Sequence, residues 1–126
     1  MSKEMNFRLH IRESFEDENG KRFIGPGVIT LLENLEKERS LSKAAALMDM
    51  SYTKALRIIN HLEEVVELPI LNRAHGGHER VGSSLTSFAL NLIKEWKTFD
   101  SELRKASSPL AEKFLENLRK EAENEQ

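Results

Sequence analysis

Apolar and polar residues alternate almost strictly from Phe7 to Phe15, with Phe7, Leu9 and Ile11 on one side and Arg8, His10 and Arg12 on the other. That period of two predicts a half-buried strand, with His10 a surface residue on its polar side. Glu16-Asp17-Glu18 and Asn19-Gly20 read as a turn, since Asn-Gly supplies the positive φ of a tight hairpin, and Lys21-Arg22-Phe23-Ile24 returns as a second strand. Gly25-Pro26-Gly27 ends the alternation, and Pro26 suits the first turn of a helix, where its missing N–H costs nothing. The period then becomes helical: Val28, Leu31, Leu32 and Leu35 form one stripe that runs to Arg39. Ser42 reads as the N-cap of a short alanine-rich helix, Lys43 to Met48, and Ser51 as the N-cap of a third helix. Ala55, Ile58, Ile59, Leu62 and Val66 mark the buried side of that third helix, leaving Thr53, Lys54, Arg57 and His61 on its wet side.

Pro69 closes the helical region. Ile70 to Ala74 reads as a strand, His75-Gly76-Gly77-His78 as a loop tip, and Glu79-Arg80-Val81 as the returning strand, closed by Gly82-Ser83-Ser84. Thr86 is placed to cap a long helix in which Leu85, Ala89, Leu92, Trp96, Phe99 and Leu103 recur at heptad spacing, the repeat of a helix packed along another helix. Ser107-Ser108-Pro109 is expected to interrupt it, with Pro109 starting a last helix that carries Leu110, Phe114, Leu115 and Leu118. The charged tail after Lys120 is expected to fray. The fold class is mainly α with small β-hairpins: a winged helix-turn-helix with a long carboxy-terminal dimerisation helix. Within one domain it divides into a hairpin over 7–24, a winged helix-turn-helix over 25–85 and dimerisation helices over 86–126.

Composition supports a single globular domain, because 126 residues cannot supply two independent cores and 39% hydrophobic with 32% charged residues is neither disordered nor membrane-spanning. The chain has no Cys, which removes disulfides, thiolate zinc sites and cysteine nucleophiles together. Met1 to Asn6 lack the apolar stretch of an export signal, so a cytoplasmic location is expected. The net charge of −2 argues at first against a polyanionic partner. Resolved along the chain it does not: between Arg39 and His61 four basic residues, Arg39, Lys43, Lys54 and Arg57, stand against Asp49 alone, so that stretch is +3 and the remainder −5.

The order helix, short helix, tight turn, helix, strand, glycine loop, strand has a direct physical use. A short alanine-rich helix lets the next one cross it steeply, so that its outer face is free to enter a DNA major groove. That face carries Tyr52, Thr53, Lys54 and Arg57, with His61 further along, while Ser42, Lys43 and Ser51 lie at helix N-termini able to hold backbone phosphates. The wing adds Arg73, His75, His78 and Arg80 as phosphate or minor-groove donors. Two imidazoles at a loop tip cannot close a tetrahedral zinc site, so no metal or other cofactor is expected. Nor is an enzyme, since no phosphate-cradling glycine loop, nucleophile with its base, or paired carboxylates in context stand out.

Phe23-Ile24-Gly25-Pro26-Gly27 before a leucine-rich helix, Ser40-Leu41-Ser42-Lys43-Ala44-Ala45 through Met48-Asp49-Met50-Ser51-Tyr52, and then Pro69-Ile70-Leu71-Asn72-Arg73, Gly76-Gly77 and Leu85-Thr86 make the pattern specific. Over residues 7 to 105 it resembles the amino-terminal DNA-binding domain of the ModE family of molybdate-responsive regulators, and more distantly the LysR-type winged helix. The resemblance implies a homodimeric regulator binding double-stranded DNA, with Ser51, Tyr52, Thr53, Lys54 and Arg57 at the recognition-helix positions. Leu92, Trp96, Phe99 and Leu103 are the expected dimer interface, and two-fold symmetry makes a pseudo-palindromic site the expected target. Two departures stand out. Family members continue into molybdate-binding domains where this sequence ends at Gln126, which makes molybdate or tungstate binding doubtful, and Ala89 replaces a Gly usual after the Leu-Thr pair. The alternative function is a winged-helix interaction module without DNA binding, which would display the acidic first 20 residues and the acidic last helix.

Overall fold

The computed structural model describes residues 7–72 and 83–125, in the order β1 (Phe15–Glu16), β2 (Arg22–Ile24), α1 (Pro26–Glu38), α2 (Leu41–Ala46), α3 (Tyr52–Val66), β3 (Leu71–Asn72), β4 (Ser84–Leu85) and α4 (Ser87–Asn124). The molecule is mainly helical, with two small antiparallel pairings and a long carboxy-terminal helix. It divides into two compact units, residues 12–96 and a smaller one made of 1–11 with 97–126.

In the larger unit the first hairpin forms where Asn-Gly places it, but its strands are short. Phe15 pairs with Ile24 and Glu16 with Arg22, whereas Phe7 to Ser14 are not strand, and Phe7 and Leu9 are exposed. Alternation makes a strand only where a partner strand can complete its hydrogen bonds, and the return arm is three residues long. Asp17 holds the turn: its Oδ1 accepts from the N–H groups of Asn19 and Lys21, both at 2.9 Å, while Gly20 takes φ +81°. The Lys21 N–H is the main reason the Asp17 carboxyl lies below its ordinary pKa; the Asn19 N–H and the His61 and Lys21 charges act the same way, outweighing desolvation.

Pro26 opens α1 as expected, after Gly25. Leu31, Leu32 and Leu35 are buried; Ile29 joins them, while Val28 is only half-buried at the core's margin. The cap of α2 is Ser40, whose Oγ accepts from Lys43 N–H at 3.2 Å, and this corrects the assignment to Ser42. The physical reason is Leu41, 3% exposed: the helix starts early enough to turn that side chain into the core. Ser42 is instead an exposed residue of the first turn.

The α2 helix ends in a Schellman closure. Met50 N–H donates to Ala45 C=O and Asp49 N–H to Ala46 C=O, with Asp49 left-handed at φ 55°. Ser51 then caps α3 as expected, accepting from Lys54 N–H at 3.1 Å. Ala55, Ile59 and Leu62 are buried, with Ile58 and Val66 packed at the core's edge.

After α3, Leu71 pairs with Leu85 and Asn72 with Ser84, so the returning strand among the described residues is Ser84–Leu85, where Ser84 was expected to lie in a closing loop. Residues 73–82, with the expected arms at Ala74 and Glu79 to Val81, lie outside the description. Two side chains stitch this join. Glu63 Oε2 accepts from Ile70 N–H at 2.8 Å, and Thr86 Oγ1 donates to Pro69 C=O at 2.8 Å while accepting from Ala89 N–H at 3.1 Å, the expected cap of α4. Ala89, Ile93 and Trp96 of α4 are buried, and the Trp96 ring meets Phe15 edge-on at 6.2 Å.

In the smaller unit α4 runs on through Pro109 to Asn124, which corrects the expected break there. The proline removes one helical hydrogen bond at an exposed position, where water can take up the freed carbonyl. Ser107 Oγ donates to Arg104 C=O at 3.1 Å, and Arg104 pairs with Asp100 and donates to Ile11 C=O at 3.2 Å.

Ser51→Ala should lower stability by about 1 kcal/mol through loss of the α3 cap, read in a urea melt; an unchanged midpoint would show that the cap is not needed. The depressed Asp17 contributes stability that is fully present above the unfolded carboxylate pKa of about 3.9 and is lost as pH falls through its lower folded value. Melting temperatures of Asp17→Asn followed down from pH 5 should therefore fall less steeply than wild type over that acid range.

Candidate nucleic-acid interface

The candidate residues on α3 sort by what faces the core. With Ala55, Ile59 and Leu62 buried, Thr53, Lys54 and Arg57 are exposed together on the side away from them. Asn60 is exposed as well, three residues beyond Arg57 on the same helix. The sequence reading did not single it out, although its helical spacing was a usable signal and an amide can pair both polar atoms of an adenine edge. Tyr52 is half-buried and packs against the core, so its ring is largely committed inward.

Ser51 is exposed and its Oγ is engaged in the cap. Ser42 and Lys43 lie exposed in the first turn of α2, with the Lys43 side chain in no ion pair among the described residues. Ser40, which occupies the capping role, was not among the residues singled out; the burial of Leu41 selects it.

His61 departs from the expected wet face. Its side chain is 13% exposed, and Nε2 lies 3.4 Å from Asp17 Oδ2 of the hairpin turn, with Nδ1 3.7 Å from Glu64 Oε1. The imidazole thus faces the β1–β2 turn rather than the open side of α3. Arg73, His75, His78 and Arg80 lie outside the described residues. No group of three or more His, Asp or Glu able to hold a metal occurs among the described residues.

Of the expected interface stripe, Trp96 is buried in the chain's own core and Leu92 is half-buried against it, while Leu103 is half-buried and Phe99 exposed. The first part of the stripe therefore completes the larger unit. Further along α4 the exposed large apolar residues are Leu110, Phe114 and Leu118. Phe7 and Leu9 share with Leu110 and Phe114 an apolar groove in the smaller unit. No described helix is long and apolar enough to cross a membrane.

No protein-family model matches the chain. Among curated proteins it is 28% identical over 88 residues to the molybdenum transport protein ModE of Azotobacter vinelandii, covering 70% of this chain and 33% of that protein. It is 30% identical over 93 residues to the transcriptional regulator ModE of Yersinia pestis, covering 74% of this chain and 35% of that protein. The chain thus spans about a third of the length of the curated relatives it matches. Over that stretch, which is most of its own length, the chain is related to the ModE family.

Proposed function

We propose that the chain is a sequence-specific DNA-binding transcriptional regulator acting in the cytoplasm, built as a winged helix-turn-helix in which α3 reads the major groove. The observation that carries this reading is the outward face of α3. It is capped by Ser51, it presents Thr53, Lys54, Arg57 and Asn60, and it follows a six-residue helix whose Ala44 and Ala45 are buried. A relative named as a transcriptional regulator supports it. Arg57 is the candidate for bidentate guanine recognition, and Lys43 at the start of α2 is a backbone contact that carries no sequence information. The described antiparallel pair of β3 and β4 is the base of the wing.

The DNA-bound form is a homodimer paired along α4. Because Trp96 faces the chain's own core, the pairing surface lies at Phe99 and at Leu110, Phe114 and Leu118, the large apolar residues that α4 leaves exposed beyond Trp96. A symmetric pair sets its recognition helices ~34 Å apart, or a multiple of that, on a pseudo-palindrome.

In-vitro selection of bound DNA at low salt should enrich one symmetric motif; absence of any enrichment would favour the interaction-module reading. Against the selected site, Arg57→Ala should cost about 1–3 kcal/mol and relax one base position, while Lys43→Ala should weaken all sequences alike and flatten the salt dependence. If both variants bind as wild type does, the face is wrongly assigned. Phe114→Glu with Leu118→Glu should shift the sedimenting species from dimer to monomer; a wild-type chain that sediments as a monomer at the concentrations used for DNA binding would remove the symmetric model.

A further inference from the structure

Three cations from three separate segments of the larger unit converge without partners among the described residues. Arg12 precedes the hairpin, Arg22 is on β2 and Lys54 is on α3, and all three line one cavity of about 390 Å³. None of them makes an ion pair or a side-chain hydrogen bond among the described residues. One carboxylate, Glu13, also lines the cavity, so positive charge outnumbers negative there by three to one. Like charges drawn to one cavity repel one another, and a bound anion is the simplest group that removes the cost.

The first turn of α1 forms another part of the lining and adds to the same polarity. Gly25, at its N-cap, offers no side-chain oxygen, and Pro26 has no N–H. The first backbone bond at this end is from Ile29 N–H to Gly25 C=O, which leaves the N–H groups of Gly27 and Val28 without an acceptor among the described residues. Gly27 is exposed, and a Cβ built on it would meet nothing within 4 Å, so a ligand oxygen can approach that backbone. The cations are the primary observation, and the uncapped helix end points at the same ligand.

We propose that this cavity is a phosphate seat and that its occupant is a DNA backbone phosphate bordering the groove read by α3, an inference that rests on the function proposed above. Lys54 ties the two surfaces together, because it belongs both to the exposed face of α3 and to the cavity lining. The phosphates that flank a major groove lie beside any helix that enters it, and Arg12 and Arg22 extend the contact from the helix to the amino-terminal hairpin. Free phosphate offers the same chemistry, and the two sources separate experimentally.

The full chain is titrated with its selected DNA over a range of KCl, as wild type, Arg12→Gln, Arg22→Gln and Gly27→Asp; inorganic phosphate is titrated alone, read by melting temperature. Each arginine variant should reduce the salt slope by about 0.9, weaken every sequence alike and leave the selected motif unchanged. Gly27→Asp is the fold-preserving test, because there is room for its side chain and a carboxylate in the first helical turn is favoured by the helix dipole. It should melt no lower than wild type yet bind DNA about tenfold more weakly. Unchanged DNA affinity and slope in all three variants overturn the proposal. So does phosphate-dependent stabilisation lost in Gly27→Asp with DNA binding intact, which would assign the seat to a free anion. If the wild type enriches no DNA at all, the parent reading fails and the DNA source with it, whereas a DNA-binding wild type with indifferent variants sinks the seat alone.

Discussion

The fold turns on how closely two helices approach across alanine. Ala44 and Ala45 of α2 and Ala55 of α3 have at most 1% of their surface exposed, and they lie in one cluster with Leu31, Leu32 and Leu35 of α1. A methyl group is the largest side chain such a contact accepts without pushing the helices apart, because cores at native density have no slack for added methylenes. The turn between α2 and α3 reinforces the same geometry, with Asp49 left-handed and two backbone bonds back to Ala45 and Ala46. Once α2 is held that close, the rotation of α3 about its own axis is settled by burying Ala55, Ile59 and Leu62. The exposure of Thr53, Lys54, Arg57 and Asn60 follows from that burial rather than from any property of the polar residues themselves.

What surrounds α3 is fastened to it by polar groups at the edges of the core. Glu63 receives the N–H groups of Ile70 and Leu71, and Thr86 ties Pro69 to the start of α4. These bonds satisfy backbone groups at a strand entry and a helix start, where secondary structure alone leaves them open. On the opposite flank, Asp17 organises the hairpin turn through two backbone N–H groups and approaches His61 of α3. The helix proposed to read DNA is thus braced on both flanks by side chains that read as ordinary surface polarity in a sequence.

The legible part of the sequence was the part fixed by local chemistry. Asn-Gly marked the first turn, Pro26 the start of α1, Ser51 and Thr86 the caps of α3 and α4, and helical spacing the buried side of α3. Each depends on residues within a turn or two of one another. The misread positions depended on distant partners. Two serines flank Leu41, and only the burial of that leucine in a core built from other helices selects Ser40 over Ser42. Phe7, Leu9 and Ile11 alternate as a strand would, but no described strand lies alongside them. Pro109 is a helix breaker by propensity, and an exposed proline late in a long helix is tolerated. The heptad stripe of α4 was real as a pattern, yet its period could not reveal that Trp96 meets Phe15 of the same chain. The candidate site divided the same way: Thr53, Lys54 and Arg57 followed from helical period, whereas the inward turn of His61 required knowing where Asp17 comes to rest.

The same distinction resolves the contradiction between a net charge of −2 and a proposed polyanionic partner. Net charge counts every group equally, but a field at a surface is set by which charges are left without a nearby opposite. Three of the acids are tied down internally: Asp17 to the turn and His61, Glu63 to the N–H groups of Ile70 and Leu71, and Asp100 to Arg104. Arg12, Arg22, Lys43, Lys54 and Arg57 have no such partner among the described residues. Their positive charge is therefore not spent in ion pairs among the described residues, and Glu13 is the one carboxylate that lines the cavity of Arg12, Arg22 and Lys54. A protein of this kind gains little from non-specific attraction, since its overall charge repels the polymer. It gains fully once one face is seated, because counterion release depends only on the phosphates contacted.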